Sequence, residues 1–177
     1  MIQVNDKYFE PYLDELQISE QVKFLSHAIS NDYKGKDVVF LVILNGAFMF
    51  ASDLLKKVDL PCQVSFIKVS SYHGTKSTGR VDEIIGLTAS LYGKHVVIIE
   101  DIVDTGITVD KVKKLLEAES PESVKVCTLL YKPDAFQGNH TPEYVGFSIP
   151  NDFVVGYGLD YNEKGRNIPS IFKIKED

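Results

Sequence analysis

The chain has 177 residues, a formal net charge of −6, 44% hydrophobic residues and 25% charged residues. That length suits one domain spanning residues 1–177, and the composition excludes wholesale disorder. The acidity excludes a general nucleic-acid binder, which needs a basic face to neutralise phosphates, but leaves room for a small phosphorylated substrate.

Met1 to Glu10 lacks the basic and apolar blocks of a signal peptide, and no apolar run approaches the ~20 residues of a membrane span. The expectation is a cytoplasmic protein with no membrane partner. Ser19 to Tyr33 reads as a helix capped by Ser19, with Val22, Leu25 and Ile29 on one face. Asp37 to Leu44 is a continuous apolar run of the kind found in strands buried on both faces. A tight turn at Asn45-Gly46-Ala47 leads into a helix over Phe48 to Lys57, and Val64 to Val69 reads as a strand. Ser71 to Asp82, with Gly74 and Gly79, reads as a mobile polar loop. His95 to Glu100 is a second buried strand, Ile107 to Ala118 a helix, and Ser123 to Tyr131 a third buried strand. Cys62 and Cys127 fall in apolar stretches and read as two buried small hydrophobes. The four histidines, His27, His73, His95 and His140, are scattered and read as structural or surface residues.

Strands alternating with helices predict an α/β fold with a central parallel sheet flanked by helices. Ligands of such sheets collect at the carboxyl ends of the strands, here after Leu44, Val69, Glu100 and Tyr131.

The most informative stretch is VVIIEDIVDTGITV, residues 96–109. A buried strand ends in Glu100 and Asp101, and Asp104-Thr105-Gly106-Ile107-Thr108 opens the next helix. Unpaired amides at a helix start favour an anion, Gly106 permits unusual dihedrals, and Thr105 and Thr108 add hydroxyl donors. Ionised carboxylates are pure acceptors, so two in sequence suit a vicinal diol. A ribose 5-phosphate fits both halves, with phosphate in the turn and the 2′- and 3′-hydroxyls on the acids. The same acids invite Mg²⁺, which takes carboxylates, waters and substrate phosphates. The competing reading is a capped helix whose acids merely complement its dipole.

This run resembles the phosphoribosyl-diphosphate (PRPP) binding motif of type I phosphoribosyltransferases. The chain as a whole is similar to the hypoxanthine–guanine branch of that family, through LVILNGA at 41–47, SSYHGTKSTG at 70–79, LLYKPDA at 129–135 and FVVGYGLDYNEKGR at 153–166. The resemblance implies the type I fold, with a small hood from the two chain ends, and a purine-salvage transfer. In it, a purine base and PRPP give a nucleoside 5′-monophosphate and pyrophosphate.

It further implies roles residue by residue. Asp104 matches the carboxylate near purine N7, a candidate general base whose alternative role is an N-cap. Lys132 matches the donor to purine O6, Phe153 the aromatic stacked on the base, and Val154 a backbone contact to the base edge. Glu100, Asp101, Asp104, Thr105, Gly106, Ile107 and Thr108 match the ribose-phosphate site. Asn45, Gly46 and Arg166 match the pyrophosphate site, with a cis peptide expected at Leu44–Asn45. Asn45 stands where many relatives carry lysine, so this position offers hydrogen bonds without charge. Glu100, Asp101 and Asp160 match Mg²⁺ ligands, and Ser71 and Tyr72 a loop that closes over the reacting centre. The implied assembly is a homodimer or homotetramer. A xanthine-preferring relative and a non-catalytic PRPP sensor are the alternative functions.

Overall fold

The computed structural model describes residues 1–69, 83–85 and 90–175. The elements in chain order are β1 (Ile2–Val4), β2 (Lys7–Leu13), α1 (Glu15–Asp32), β3 (Val38–Ile43), α2 (Phe48–Leu55), β4 (Cys62–Val69), β5 (Glu83–Ile85), β6 (His95–Val103), α3 (Ile107–Glu117), β7 (Ser123–Tyr131), β8 (Tyr144–Ser148), β9 (Val154–Val155) and β10 (Ile171–Ile174). Expected Ser71 to Asp82, with Ser71 and Tyr72, lies outside the described residues.

The main sheet has the order β5-β4-β3-β6-β7-β8. Strands β4, β3, β6, β7 and β8 are parallel, and β5 joins the edge antiparallel. All six residues of β3 are buried, as its unbroken apolar run predicts. Val38, Phe40 and Val42 pack with α1 and α2 residues such as Ile29, Phe50 and Leu54. Val39, Leu41 and Ile43 pack on the other face with Val109, Val112 and Leu116 of α3. The α2 crossover thus covers one face and leads outward to β4, whereas the α3 crossover covers the other and leads outward to β7. The chain leaves β3 and β6 in opposite directions, and such a switch point opens a crevice at the carboxyl ends.

A second, antiparallel sheet of order β1-β2-β10-β9 joins the two ends of the chain around Val4, Phe9 and Val155. This is the hood.

Three expectations need correction. Helix α1 begins four residues before Ser19. Its N-cap is Asp14, in a capping box where the Asp14 side chain accepts from the Gln17 amide and Gln17 accepts from the Asp14 amide. This reciprocal pair satisfies two backbone donors, so it outcompetes a lone serine farther along. Strand β6 does not stop at Glu100 but runs to Val103, so both acids lie within it, paired alongside β7. Cys127 is buried but Cys62 is exposed, because it opens strand β4 near the sheet edge, before that strand enters the core. Among the described residues, no helix is long and apolar enough to cross a membrane.

Candidate active site

Three carboxyl-terminal segments meet at the crevice: residues 44–47 after β3, 104–106 after β6, and Lys132 after β7. Their spacing follows from the sheet. The β6–β7 register aligns Val103 with Tyr131, and the Lys132 amide then donates to the Val103 carbonyl at 3.0 Å. Lys132 Nζ donates to Asp104 Oδ2 at 2.9 Å. The lysine is buried while Asp104 keeps 43% of its side chain exposed, so the pair faces the crevice with its acidic end outward. Asp104 is not the helix cap, which is Gly106.

Glu100 and Asp101 are both buried. Asp101 Oδ1 accepts from the Ile102 amide at 3.0 Å. Glu100 Oε2 is buried with no hydrogen-bond partner. Burial, reinforced by the neighbouring Asp101 charge, pushes the Glu100 carboxyl well above the usual range. Burial also raises Asp101, against the Ile102 amide and the Arg166 charge. An orphaned acceptor beside a second carboxylate is a site built for hydroxyl donors or a cation.

Gly46 seats directly on the Asp101 carboxylate, and a Cβ there would overlap Asp101 Oδ2. The Leu44–Asn45 peptide before it is cis, as expected. Asn45 is exposed at the crevice mouth.

Gly106 caps α3 in the left-handed region at φ +84°, and no side chain caps the helix. The amides that open α3 are therefore left for a ligand, with Thr105 partly buried and Ile107 and Thr108 exposed beside them. The space a Gly106 side chain would need is taken by Phe136 and Gly138. This glycine admits the 136–138 loop, which also docks through the Gln137 amide on the Thr105 carbonyl at 3.0 Å.

The hood supplies the facing wall. Phe153 is 43% exposed and lies 6.2 Å from the Phe9 ring and 5.7 Å, edge-on, from Tyr161. Val154 is buried in β9. Arg166 Nη1 donates to the Gly158 carbonyl at 2.9 Å, and Nη2 pairs with Asp160 Oδ1 at 2.7 Å. Asp160 Oδ2 accepts from the Glu163 amide at 2.8 Å. Both Asp160 oxygens are thus engaged within the turn, unlike Glu100 Oε2. Sequence reasoning passed over Asn151, whose Oδ1 lies 3.4 Å from Lys132 Nζ. Its only signal was its place just before Phe153. Of the histidines, His95 opens β6 at the end remote from the crevice and bonds Ser123 Oγ at 2.8 Å, and His140 bonds Asp110 Oδ1 in the first turn of α3 at 3.0 Å. His27 is exposed on α1, and His73 lies outside the described residues.

A switch-point crevice with a helix start free of any side-chain cap, a buried acid pair and a lysine–aspartate pair defines the site of an α/β protein, with donors suited to an anion beside acceptors suited to hydroxyls. The phosphoribosyl transferase domain family matches residues 10–162 of the chain. The hypoxanthine-guanine phosphoribosyltransferase of Staphylococcus aureus is 44% identical over 95% of this chain and 94% of that protein. Its Mycobacterium bovis counterpart is 43% identical over 88% of this chain and 80% of that one. A crystal structure of a hypoxanthine phosphoribosyltransferase from Staphylococcus aureus superposes with a TM-score of 0.89 and 44% identity, covering 97% of this chain and 93% of that one. The chain belongs to the phosphoribosyltransferase family and has its type I fold.

Proposed function

We propose that the chain is a purine-salvage enzyme. It transfers the 5-phosphoribosyl group of PRPP to N9 of hypoxanthine, and of guanine, giving IMP or GMP and pyrophosphate. The observation that carries this reading is the Lys132–Asp104 pair, with donor and acceptor 2.9 Å apart at the crevice. A 6-oxopurine presents O6 as an acceptor and N7–H as a donor on one edge. It can slot between the two side chains, O6 on Lys132 and N7–H on Asp104. The 6-amino group of adenine would instead turn a donor toward the Lys132 donor, which disfavours it. The names of the relatives, hypoxanthine-guanine phosphoribosyltransferase, support the same choice of bases.

The remaining roles follow the chemistry of the crevice. The amides of residues 105–108 and the hydroxyls of Thr105 and Thr108 hold the 5′-phosphate, and Glu100 and Asp101 accept from the ribose hydroxyls. Phe153 stacks on the base and Val154 offers its backbone to the base edge. Asp104 accepts the N7 proton as N9 attacks C1′, and Lys132 stabilises electron density pushed onto O6. The 45–46 backbone and Arg166 receive the departing pyrophosphate, whose charge suits a guanidinium. Ser71 and Tyr72 belong to a segment proposed to close over the centre and exclude water.

Mg²⁺ is the proposed cofactor. The orphaned Glu100 Oε2 beside Asp101 fits it, since this ion takes one or two carboxylates and fills its remaining positions with waters and substrate oxygens. When bound, Mg²⁺ would neutralise the charge of the diphosphate. Asp160 joins this set once Arg166 leaves it for the pyrophosphate. The proposed assembly is a homodimer or homotetramer acting in the cytoplasm, which sedimentation of the purified protein checks.

The deciding experiment is a spectrophotometric assay with PRPP, Mg²⁺ and each of four bases. Nucleotide is expected from hypoxanthine and guanine and none from adenine. Turnover of xanthine above both would establish the xanthine-preferring alternative. PRPP binding without nucleotide from any base would establish a sensor.

A further inference from the structure

Tyr157 lies in the core cluster on the face of the sheet covered by α1 and α2, beside Ile18, Met49 and Asp53. It is buried, and its backbone is left-handed at φ +50°, between Gly156 at +100° and Gly158 at +99°. A tyrosine adopts this region reluctantly, because its Cβ crowds the backbone. Its amide donates to the Ile168 carbonyl at 2.7 Å, and its hydroxyl donates to Asp53 Oδ2 of helix α2 at 2.7 Å. Asp53 also holds Lys56 at 2.7 Å. Burial and the Asp53 carboxylate push the Tyr157 hydroxyl far up, so it is a protonated donor throughout the working pH range.

The neighbours of this bond make it informative. Residue 158 bonds Arg166 in both directions, its amide to the Arg166 carbonyl and its carbonyl to Arg166 Nη1, each at 2.9 Å. Gly158 also lies directly on the Gly46 carbonyl, where any Cβ would overlap it. Gly46 in turn seats on Asp101. Helix α2, which carries Asp53, starts immediately after the 44–47 loop. One hydrogen bond therefore clamps the hood turn bearing Arg166 and Asp160 onto the helix that follows the other pyrophosphate-facing segment.

We propose that Tyr157, through Asp53, is a positioning residue that sets the spacing between the 45–46 backbone and Arg166, and thereby the grip on the diphosphate. This rests on the proposed diphosphate site. It assigns a role in PRPP and pyrophosphate affinity to two residues that touch neither ligand, and it leaves the purine side, built on Lys132 and Phe153, unaffected.

The test is calorimetric binding of pyrophosphate in Mg²⁺, with steady-state kinetics for both substrates. Tyr157→Phe removes the hydroxyl and keeps the ring. Pyrophosphate affinity and the KM for PRPP are expected to worsen about fivefold, the range of one net hydrogen bond, with the KM for purine within twofold. Asp53→Ala should match Tyr157→Phe, and the double variant should be no worse than either. Asp53→Asn keeps an acceptor oxygen and should recover most of the affinity. Unchanged pyrophosphate affinity in Tyr157→Phe, or equal losses for purine and pyrophosphate, would overturn the proposal. If Tyr157→Phe folds poorly, the contrast between Asp53→Ala and Asp53→Asn makes the same decision, and equal affinities there overturn it. A wild-type protein that binds pyrophosphate but forms no nucleotide would defeat the transfer reading alone. In that case the Tyr157→Phe binding result still judges the clamp.

Discussion

Glu100 and Asp101 lie inside β6, where the strand has run past its pairing with β3 and is paired with β7 alone, whereas Asp160 and Arg166 lie on a turn beyond β9 and are held by one another and by local backbone. The strand acids are buried, and Glu100 has an oxygen with no partner. The turn pair is part-exposed and already satisfied. The ladder to β7 fixes the strand acids in place and their burial makes them costly to ionise, so that wall of the crevice is set without any ligand. The turn wall is satisfied by its own contacts, so in the proposed function Arg166 would exchange Asp160 for phosphate oxygens. On that proposal a substrate relieves one wall and rearranges the other.

The largest test of the strand side is Asp104→Asn, which keeps shape and removes the charge. It should lower kcat by about 10²–10⁴ with little change in melting temperature, measured with saturating PRPP and hypoxanthine. Turnover near wild type would mean Asp104 is not the base. Gly46→Ala comes next. Its Cβ would overlap the Asp101 carboxylate, so the loop or the acid must shift, and kcat/KM for PRPP should drop about 10²-fold. A loss under twofold would show that the contact between the two walls of the loop is incidental.

Arg166→Lys probes the turn side. A lysine keeps the charge but cannot serve Gly158 and Asp160 together, so the KM for PRPP should rise roughly tenfold with kcat and melting temperature nearly unchanged. A large melting shift would erase the distinction between the walls.

The smallest effect is Glu100→Gln, and its sign runs against intuition. Because the folded protein holds the Glu100 proton more tightly than the unfolded chain, stability is full below the ordinary glutamate range. It is lost as pH rises from there through the elevated value. The variant should therefore melt above wild type at neutral pH while binding PRPP less well. The gain should vanish as pH falls below about 4.3. Thermal melts across that range decide it, and a variant that melts lower at neutral pH would mean Glu100 is well solvated or paired in solution.

The central strands were legible because β3 is a continuous apolar run and β6 and β7 carry apolar stretches at Val96–Ile99 and Leu129–Leu130, and α3 because Val109, Val112 and Leu116 recur at helical spacing. The extent of β6 was not, since Glu100 and Asp101 break the apolar pattern while the ladder to β7 carries on through them. The start of α1 was misplaced because Ser19 is a plausible cap, although Asp14 and Gln17 stood at the capping-box spacing. Cys62 was misread because an apolar stretch does not say how far a strand lies from the sheet edge.

Within the site, the Glu100–Thr108 run was visible as a local motif. The pairing of Lys132 with Asp104 joins residues 28 apart, and that of Tyr157 with Asp53 joins residues 104 apart. Such contacts arise from strand order and the return of the chain into the hood, and no local pattern encodes them. The resemblance to a family supplied Lys132 and Phe153. Nothing supplied Asn151 or Tyr157.

The order of the small sheet also bears on how the protein is made. Strand β10 lies between β2 and β9, although it comes after both in the chain. The parallel sheet through β8 can form while later residues are still inside the ribosome, but the wall bearing Phe153 cannot be joined to β2 until residues 171–174 emerge. A nascent chain halted before that point would own the strand ends that floor the crevice but not the small sheet that faces them.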